Sequence, residues 1–365
     1  MRARSQLFNG KIMAGTDERI RKVGFVQNFV SRPELGSVFG LAIIVVTFMT
    51  MTSISGTFTA MWGNPIGIQA WVELAAFVGI LAIGASLLMI AGEFDLSIGA
   101  NIALAGHSFA LLLIFGVPVV PAILLTFVEL AFLGFVIGVI VVRTGLPSFI
   151  VTLGFWFASR GFAVFLSQTL LNQSRLSVKP QLKAPAGGGE DPTVIDNLFA
   201  FDKGFGLPFD AEVYYFAILV IMVALMLQKT RFGNWIYASG GDPTAARAVG
   251  VPVNRVKISL FMLSACLACL LGVLTVMTSG ASDPKAGDFR ELHAIAAAVI
   301  GGCALTGGYG SVIGAVLGAF IFAIASRGIN FVPFIDNNMF RVMLGLLILG
   351  AAFLNQFLRN RVLRG

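Results

Sequence analysis

Charge is what this chain has least of: only 12% of its 365 residues are Asp, Glu, Lys or Arg, while 57% are hydrophobic and Phe alone fills 33 positions. A soluble domain carries about a quarter charged residues, so most of this chain is not built for water, and the mean hydropathy of +0.89 agrees. Histidine is nearly missing too. His107 and His293 lie far apart, which excludes an H-E-x-x-H metal pair on one helix face. Of the three cysteines, Cys266 and Cys269 form a C-x-x-C. Their flanks are hydrophobic helix rather than a βαβ turn, so they and Cys303 read as buried, inert thiols. A G-x-S-x-G elbow is absent, as is the P-loop pattern G-x-x-x-x-G-K-[ST]; the one Gly-Lys pair, Gly10-Lys11, continues into Ile12 and Met13. The chain therefore carries no enzyme motif, binds no cofactor of its own and cannot hydrolyse ATP, so energy for any work must come from a partner. Residues 1–35 are polar and basic without an apolar centre, so no cleavable signal peptide is visible.

What the chain does have is long apolar runs. Measured against the roughly 20 residues that a spanning helix needs, they fall at 38–55, 72–91, 97–116, 119–142, 147–168, 213–229, 257–279, 292–306, 311–327 and 339–358. The expected fold class is an all-α polytopic membrane protein of about ten transmembrane helices, with the membrane-spanning body at 36–358 between a tail at 1–35 and a basic tail at 359–365. The net charge of +7 marks orientation in such a protein, not a nucleic-acid partner. Arg and Lys concentrate in the N-terminal tail, at Arg143, across 229–257 and in the C-terminal tail, so both termini are expected to be cytoplasmic. That leaves an outer loop at 169–212 and an inner loop at 230–256. The outer loop holds "APAGGGEDPT", an irregular stretch by its Gly and Pro content.

The inner loop contains "GGDPTAARAVGVP". Asp242 suits an N-cap, Pro243 the first helical position, Ala245 and Ala246 the interior, Arg247 the last turn and Gly250 a left-handed stop. A short helix outside the bilayer follows, either tidying a long loop or offering a small Ala face to a cytoplasmic partner.

Two places look broken. Segment 292–306 is short for a span and ends among Gly301, Gly302, Gly307, Gly308 and Gly310; a Gly-interrupted segment of this kind points to a transport path, where unwound backbone meets a solute. Gly310, Gly314 and Gly318 then recur at four-residue spacing, which reads as close helix packing. The other break is "GEFDLSIGA", residues 92–100. Asp95 ahead of Leu96, Ser97 and Ile98 reads as an N-cap, whereas Glu93 has no capping role, and ionisable residues in a membrane mark functional sites. The path and hinge candidates are thus Gly92, Glu93, Asp95, Ser97, Gly301, Gly302, Gly307 and Gly308.

Five stretches together resemble one family: "GEFDLSIG", Phe58 with Asn64, "LPSFIVTLGFWFASRG" at 146–161, "GGDPTAARAVGV" at 240–251 and "ELHAIAAAVIGGCALTGGYGSVIGA" at 291–315. In order, over about 40–350 of the chain, they are similar to the permease subunits of bacterial ABC importers for ribose, xylose and related monosaccharides. The resemblance implies an inner-membrane permease that pairs with a second copy, is driven by a separate ABC ATPase subunit and is fed by a periplasmic sugar-binding protein, with lipid around it. It also implies that Asp242, Ala245, Ala246, Arg247 and Gly250 belong to the segment that docks on the ATPase. The chain departs from the family at Glu93, where glycine is frequent, at Cys303 and Ala304, where hydroxyls are usual, and at His293, where an acid is common. Glu93 accordingly reads as a tuning charge, and Glu93→Gly as a change that retains ATP-driven uptake. The competing readings are an ion-coupled carrier using Glu93 and Asp95, and a branched-chain amino-acid permease.

Overall fold

The computed structural model describes residues 34–183 and 209–364, apart from Phe334 and Asn337. The expected N-terminal tail up to residue 33 and the "APAGGGEDPT" run fall outside them. In chain order the helices are α1 (Glu34–Ile54), α2 (Pro65–Ile90), α3 (Ile98–Ile114), α4 (Val119–Thr144), α5 (Ser148–Leu171), α6 (Lys179–Lys183), α7 (Ala211–Lys229), α8 (Arg231–Gly241), α9 (Pro243–Ala248), α10 (Val253–Ser279), α11 (Arg290–Ile300), α12 (Val312–Gly328) and α13 (Met339–Arg364). Strands β1 (Leu176–Ser177) and β2 (Ala281–Ser282) pair antiparallel, Leu176 opposite Ser282.

Each expected span overlaps a helix, and among the described residues seven helices are long and apolar enough to cross a membrane. Helix α3, at 17 residues, and the apolar part of α13 are shorter. The segment expected to be helical over 292–306 is helical only as α11, which stops at Ile300. Local chemistry sets most of the other ends. Asn64 caps α2, its side chain accepting from Ile66 N at 3.0 Å ahead of Pro65 in the first turn, so the helix begins seven residues before the apolar run suggests. Gly145 and Gly280, both at φ 68°, end α4 and α10. The inner loop holds a second helix, α8, capped by Thr230 and too short to register as a span, and the C-terminal tail expected at 359–365 continues α13 to Arg364.

The most apolar window of α2 is 89% buried, that of α10 78% and that of α12 72%, against 22% for α1, α5 and α7. These three, with α3, of whose 17 residues 15 are buried, therefore form a protein-enclosed centre, and the outer helices turn Phe132, Phe157, Phe165 and similar side chains outward, as a lipid-facing surface requires. Close approach comes from glycine: a Cβ on Gly134 or Gly138 of α4 would lie 2.6 Å from Phe261 O or 2.8 Å from Ile258 Cα on α10.

Candidate functional site

Helix α2 ends in a left-handed turn at Gly92, φ 79°, with Gly92 N donating to Met89 O at 3.0 Å and Glu93 N to Leu88 O at 2.9 Å, the paired bonds of a Schellman motif. Residues 93–97 then run without helix, Glu93, Asp95 and Ser97 buried and Phe94 and Leu96 half-buried, and another helix serves their backbone. Phe94 N donates to Ser148 Oγ and Leu96 N to Thr152 Oγ1, each at 3.0 Å, both acceptors on α5. A buried N–H without a partner costs as much as a lost hydrogen bond, so α5 is what permits this stretch to be irregular.

Both carboxylates are buried and both are engaged. Asp95 Oδ1 accepts from Ser97 N at 2.8 Å and Ser97 Oγ at 2.6 Å, and Oδ2 accepts from Ser264 Oγ on α10 at 2.6 Å. The expected cap is thus displaced: Ser97 holds the N-cap position of α3 without a side-chain cap bond, and Asp95 closes a turn one step earlier while tying α3 to α10. Hydrogen bonds continue from Ser97 to Asn101 at 3.2 Å and on to Ser159 of α5 at 3.0 Å. Glu93 corrects a second expectation. It is ion-paired with Lys257, the fifth residue of α10, so Glu93→Gly would remove the partner of a half-buried ammonium. Lys257 had counted only toward loop charge, and Ser264 carried no sequence signal. We expect Ser264→Ala to lower stability by about 2 kcal/mol, the scale of a hydrogen bond to a charged group, read as a lower midpoint in denaturant unfolding of the purified protein.

The second break is built the same way. Gly302, φ 93°, stops α11, with Cys303 N donating to Ala298 O at 3.0 Å and Gly302 N to Val299 O at 2.9 Å. The turn after it closes through Ala304 N to Tyr309 O at 2.9 Å. Gly301 packs on α12, where its Cβ would overlap the Gly314 carbonyl, and a Cβ on Gly318 would overlap Ala297 O. The glycine stripe is therefore packing at Gly314 and Gly318, while Gly310 lies outside the helix, in the turn.

The two breaks meet. Gly308 N donates to Ile90 O at 2.8 Å, the last carbonyl of α2. A Cβ on Gly307 would lie 2.7 Å from Gly240 O and 2.9 Å from Gly92 Cα, one on Gly308 would lie 2.8 Å from Gly241 Cα, and one on Gly240 would overlap Ile90 O. Tyr237 Oη also donates to Gly310 O at 2.8 Å. Three backbones thus touch directly: the end of α2, the turn after α11 and the end of α8. Gly240, Gly241 and Tyr237 were not singled out from sequence, because nothing in a helix ending in Gly-Gly says what it ends against.

Helix α9 leaves this junction at once. Asp242 Oδ1 accepts from Thr244 N at 2.9 Å and Ala245 N at 3.0 Å. At the other end Gly250, φ 88°, makes the left-handed stop, with Val251 N donating to Ala246 O at 3.0 Å. The cap and the stop fall where the sequence places them. Ala246 does not face outward as expected: it is buried, 4% exposed, while Ala245 and Arg247 are exposed and Val249 is 80% exposed. A helix of 3.6 residues per turn cannot turn neighbours 245 and 246 to the same side. Ala246 is thus the side of α9 turned to the protein, and Ala245 and Arg247, with Val249 at its C-cap, are left exposed around it.

Residues 67–352 match the family described as branched-chain amino acid transport system / permease component. Among curated relatives, the probable ABC transporter permease protein YphD of Escherichia coli K12 is 31% identical over 343 residues, 92% of this chain and 94% of the relative. The fructose import permease protein FrcC of Rhizobium meliloti is 30% identical over 294 residues, 79% of this chain and 77% of its own. The ribose import permease protein RbsC of Escherichia coli K12 is 32% identical over 251 residues, 69% of this chain and 74% of its own. No solved structure matches the chain.

Proposed function

Because this chain belongs to the branched-chain amino acid transport system permease family, we propose that it forms the inner-membrane path of an ATP-driven importer for a monosaccharide. It is a multi-pass permease subunit, and its energy and its substrate arrive through other proteins. In the orientation read from Arg and Lys, α9 faces the cytoplasm, where an ABC ATPase would engage Ala245, Arg247 and Val249. A periplasmic binding protein would deliver the sugar on the other side, and a second copy of this chain would complete the path. The observation that carries the mechanism is the junction of Gly92, Gly240 and Gly307: a push on α9 reaches both breaks through backbone contact, with no side chain between to absorb it.

The ion-coupled reading loses its motive. Asp95 accepts three hydrogen bonds from protein groups and Glu93 is paired with Lys257, so both carboxylates are accounted for without a transported ion.

Vesicles containing this chain, its ATPase and its binding protein test the proposal. Uptake of ribose or fructose should require ATP and ignore a proton gradient; uptake that follows the gradient without ATP would sink it. The docking surface has its own test. Arg247→Glu reverses a charge on the exposed face and Val249→Glu places one where an exposed apolar side chain stood, so each should weaken ATPase capture about tenfold, the scale of a single interface contact worth about 1.4 kcal/mol. Co-purification of the ATPase with membranes reads it out, and undiminished capture by both variants would move the dock elsewhere. Cross-linking should start from Val249, since Ala246 points inward.

A further inference from the structure

A cavity of about 360 Å³ opens between the middle of α3 and the C-terminal end of α10, the end remote from α9. Its polar lining is Arg175, Thr275, Ser279, Ser282, Asp283 and Lys285. Its floor is a crossing of α3 and α10 at Gly106 and Gly272, where a Cβ on Gly272 would lie 2.7 Å from Ile102 O and 3.1 Å from Gly106 N. His107 fastens the rim: its Nε2 lies 3.0 Å from Ser174 O and its Nδ1 2.8 Å from Ser282 Oγ. Just before α3 begins and midway along α10, Asp95 and Ser264 bolt the same two helices together, with Glu93 on Lys257 nearer the start of α10. The pair is thus open toward the C-terminal end of α10 and sealed toward its middle, and Ser264 and Thr275 are roughly 16 Å apart along α10 at 1.5 Å per residue.

The geometry points to this cavity as the site where the permease receives its substrate from the outer side, and to a neutral, polyhydroxylated molecule of monosaccharide size as the ligand. The size falls at the low end of small-ligand pockets, roughly 300–1,000 Å³. The lining supplies both halves of hydroxyl recognition. Thr275 Oγ1 donates to Leu271 O at 2.7 Å and Ser279 Oγ to Thr275 O at 2.6 Å, while Ser279 Oγ accepts from Ala281 N at 3.3 Å; their protons are thus used within the protein, and each of these cavity-lining hydroxyls keeps acceptor capacity, two lone pairs on Thr275 and one on Ser279. Lys285 and Arg175 have no ion-pair partner among the described residues and supply donors. A sugar hydroxyl both gives and accepts, and so can use both sets. Ile102 and Val276 add an apolar wall for its C–H face. The inference rests on the import of a monosaccharide proposed above.

The test uses the whole transporter, with its ATPase and binding protein, in right-side-out vesicles. Ser279→Cys should react with a membrane-impermeant thiol reagent added outside, and modification should block uptake of ribose or fructose. The transported sugar, delivered by the binding protein, should slow the labelling at least about tenfold, as occupancy of a site by a bound ligand requires, while excess L-leucine should leave it unchanged. Thr275→Val, which keeps the shape and removes the acceptor, should cut uptake about tenfold, one hydrogen bond's worth, with ATP hydrolysis by the assembly retained. If wild-type vesicles take up neither sugar, the monosaccharide reading falls and this site with it. If they take it up, but labelling is unprotected and Thr275→Val transports normally, the cavity alone is refuted and the reading stands. Protection by leucine would overturn the ligand class.

Discussion

One methyl group added at Gly240 is expected to stop transport, while the same change at the next residue leaves it intact. A Cβ at Gly240 overlaps Ile90 O and lies 2.8 Å from Gly308 N, whereas one at Gly241 meets nothing within 4 Å. The obstacle is backbone, which cannot swing aside as a side chain can, so α8 must back away from α2 and from the turn at 307–308. Overpacking of this kind costs about 1–3 kcal/mol. At the upper end, that empties the closed junction by about a hundredfold. Gly240→Ala should therefore insert and bind the ATPase through α9, yet lose ATP-driven uptake by about that factor, with Gly241→Ala within about twofold of wild type by the same scale. Equal uptake by both variants in reconstituted vesicles would mean that the junction is not how force reaches the breaks.

The second large effect is asymmetric. The Lys257 and Glu93 side chains are 14% and 11% exposed, and removing one member of a buried pair costs about 3–5 kcal/mol because the other is left charged and unpaired. Lys257→Met should show most of that loss, since the Glu93 side chain is the shorter and the less exposed of the two. Glu93→Gln should cost less, because Lys257 lies near the start of α10 and its long stem can carry the ammonium toward water. The double variant Glu93→Gln with Lys257→Met should recover much of the stability, as replacing both members by neutral groups often does. Thermal unfolding of the four proteins in detergent decides it. A double variant as unstable as the sum of the singles would show that the two charges do not act on each other.

The pattern of what could be read from sequence follows the distance over which each interaction acts. Asp242, Pro243 and Gly250 mark α9 because caps and stops are made by residues within one turn of the helix end. Gly301 and Gly302 mark the break after α11 for the same reason, although the apolar run carried the expected span on to residue 306. Asp95 was legible as far as its bond to Ser97, two residues away, and illegible at Ser264, 169 residues on. Lys257 was misjudged because a lysine beside a span reads as loop charge; its acid lies 164 residues back. Gly240 is the clearest case. Its role is to be small against a carbonyl of α2, and no periodicity or cap announces that.

The segment 93–97 also constrains how the protein is made. Its backbone N–H groups are served by Ser148 and Thr152, and its carboxylates by Lys257 and Ser264, none of which exists when the ribosome has finished α3. At about 5–20 residues per second, translation needs roughly 7–30 s more to reach α10. Phe94 N and Leu96 N gain their partners once α5 is made, but Glu93 and the second oxygen of Asp95 wait for α10, and a nascent chain halted near residue 200 would keep them so. Membrane insertion of the first half is therefore expected to be provisional, with α2 and α3 able to slide or resubmerge until α10 arrives. A quality-control protease that samples incomplete chains would find its cut site between Gly92 and Ser97.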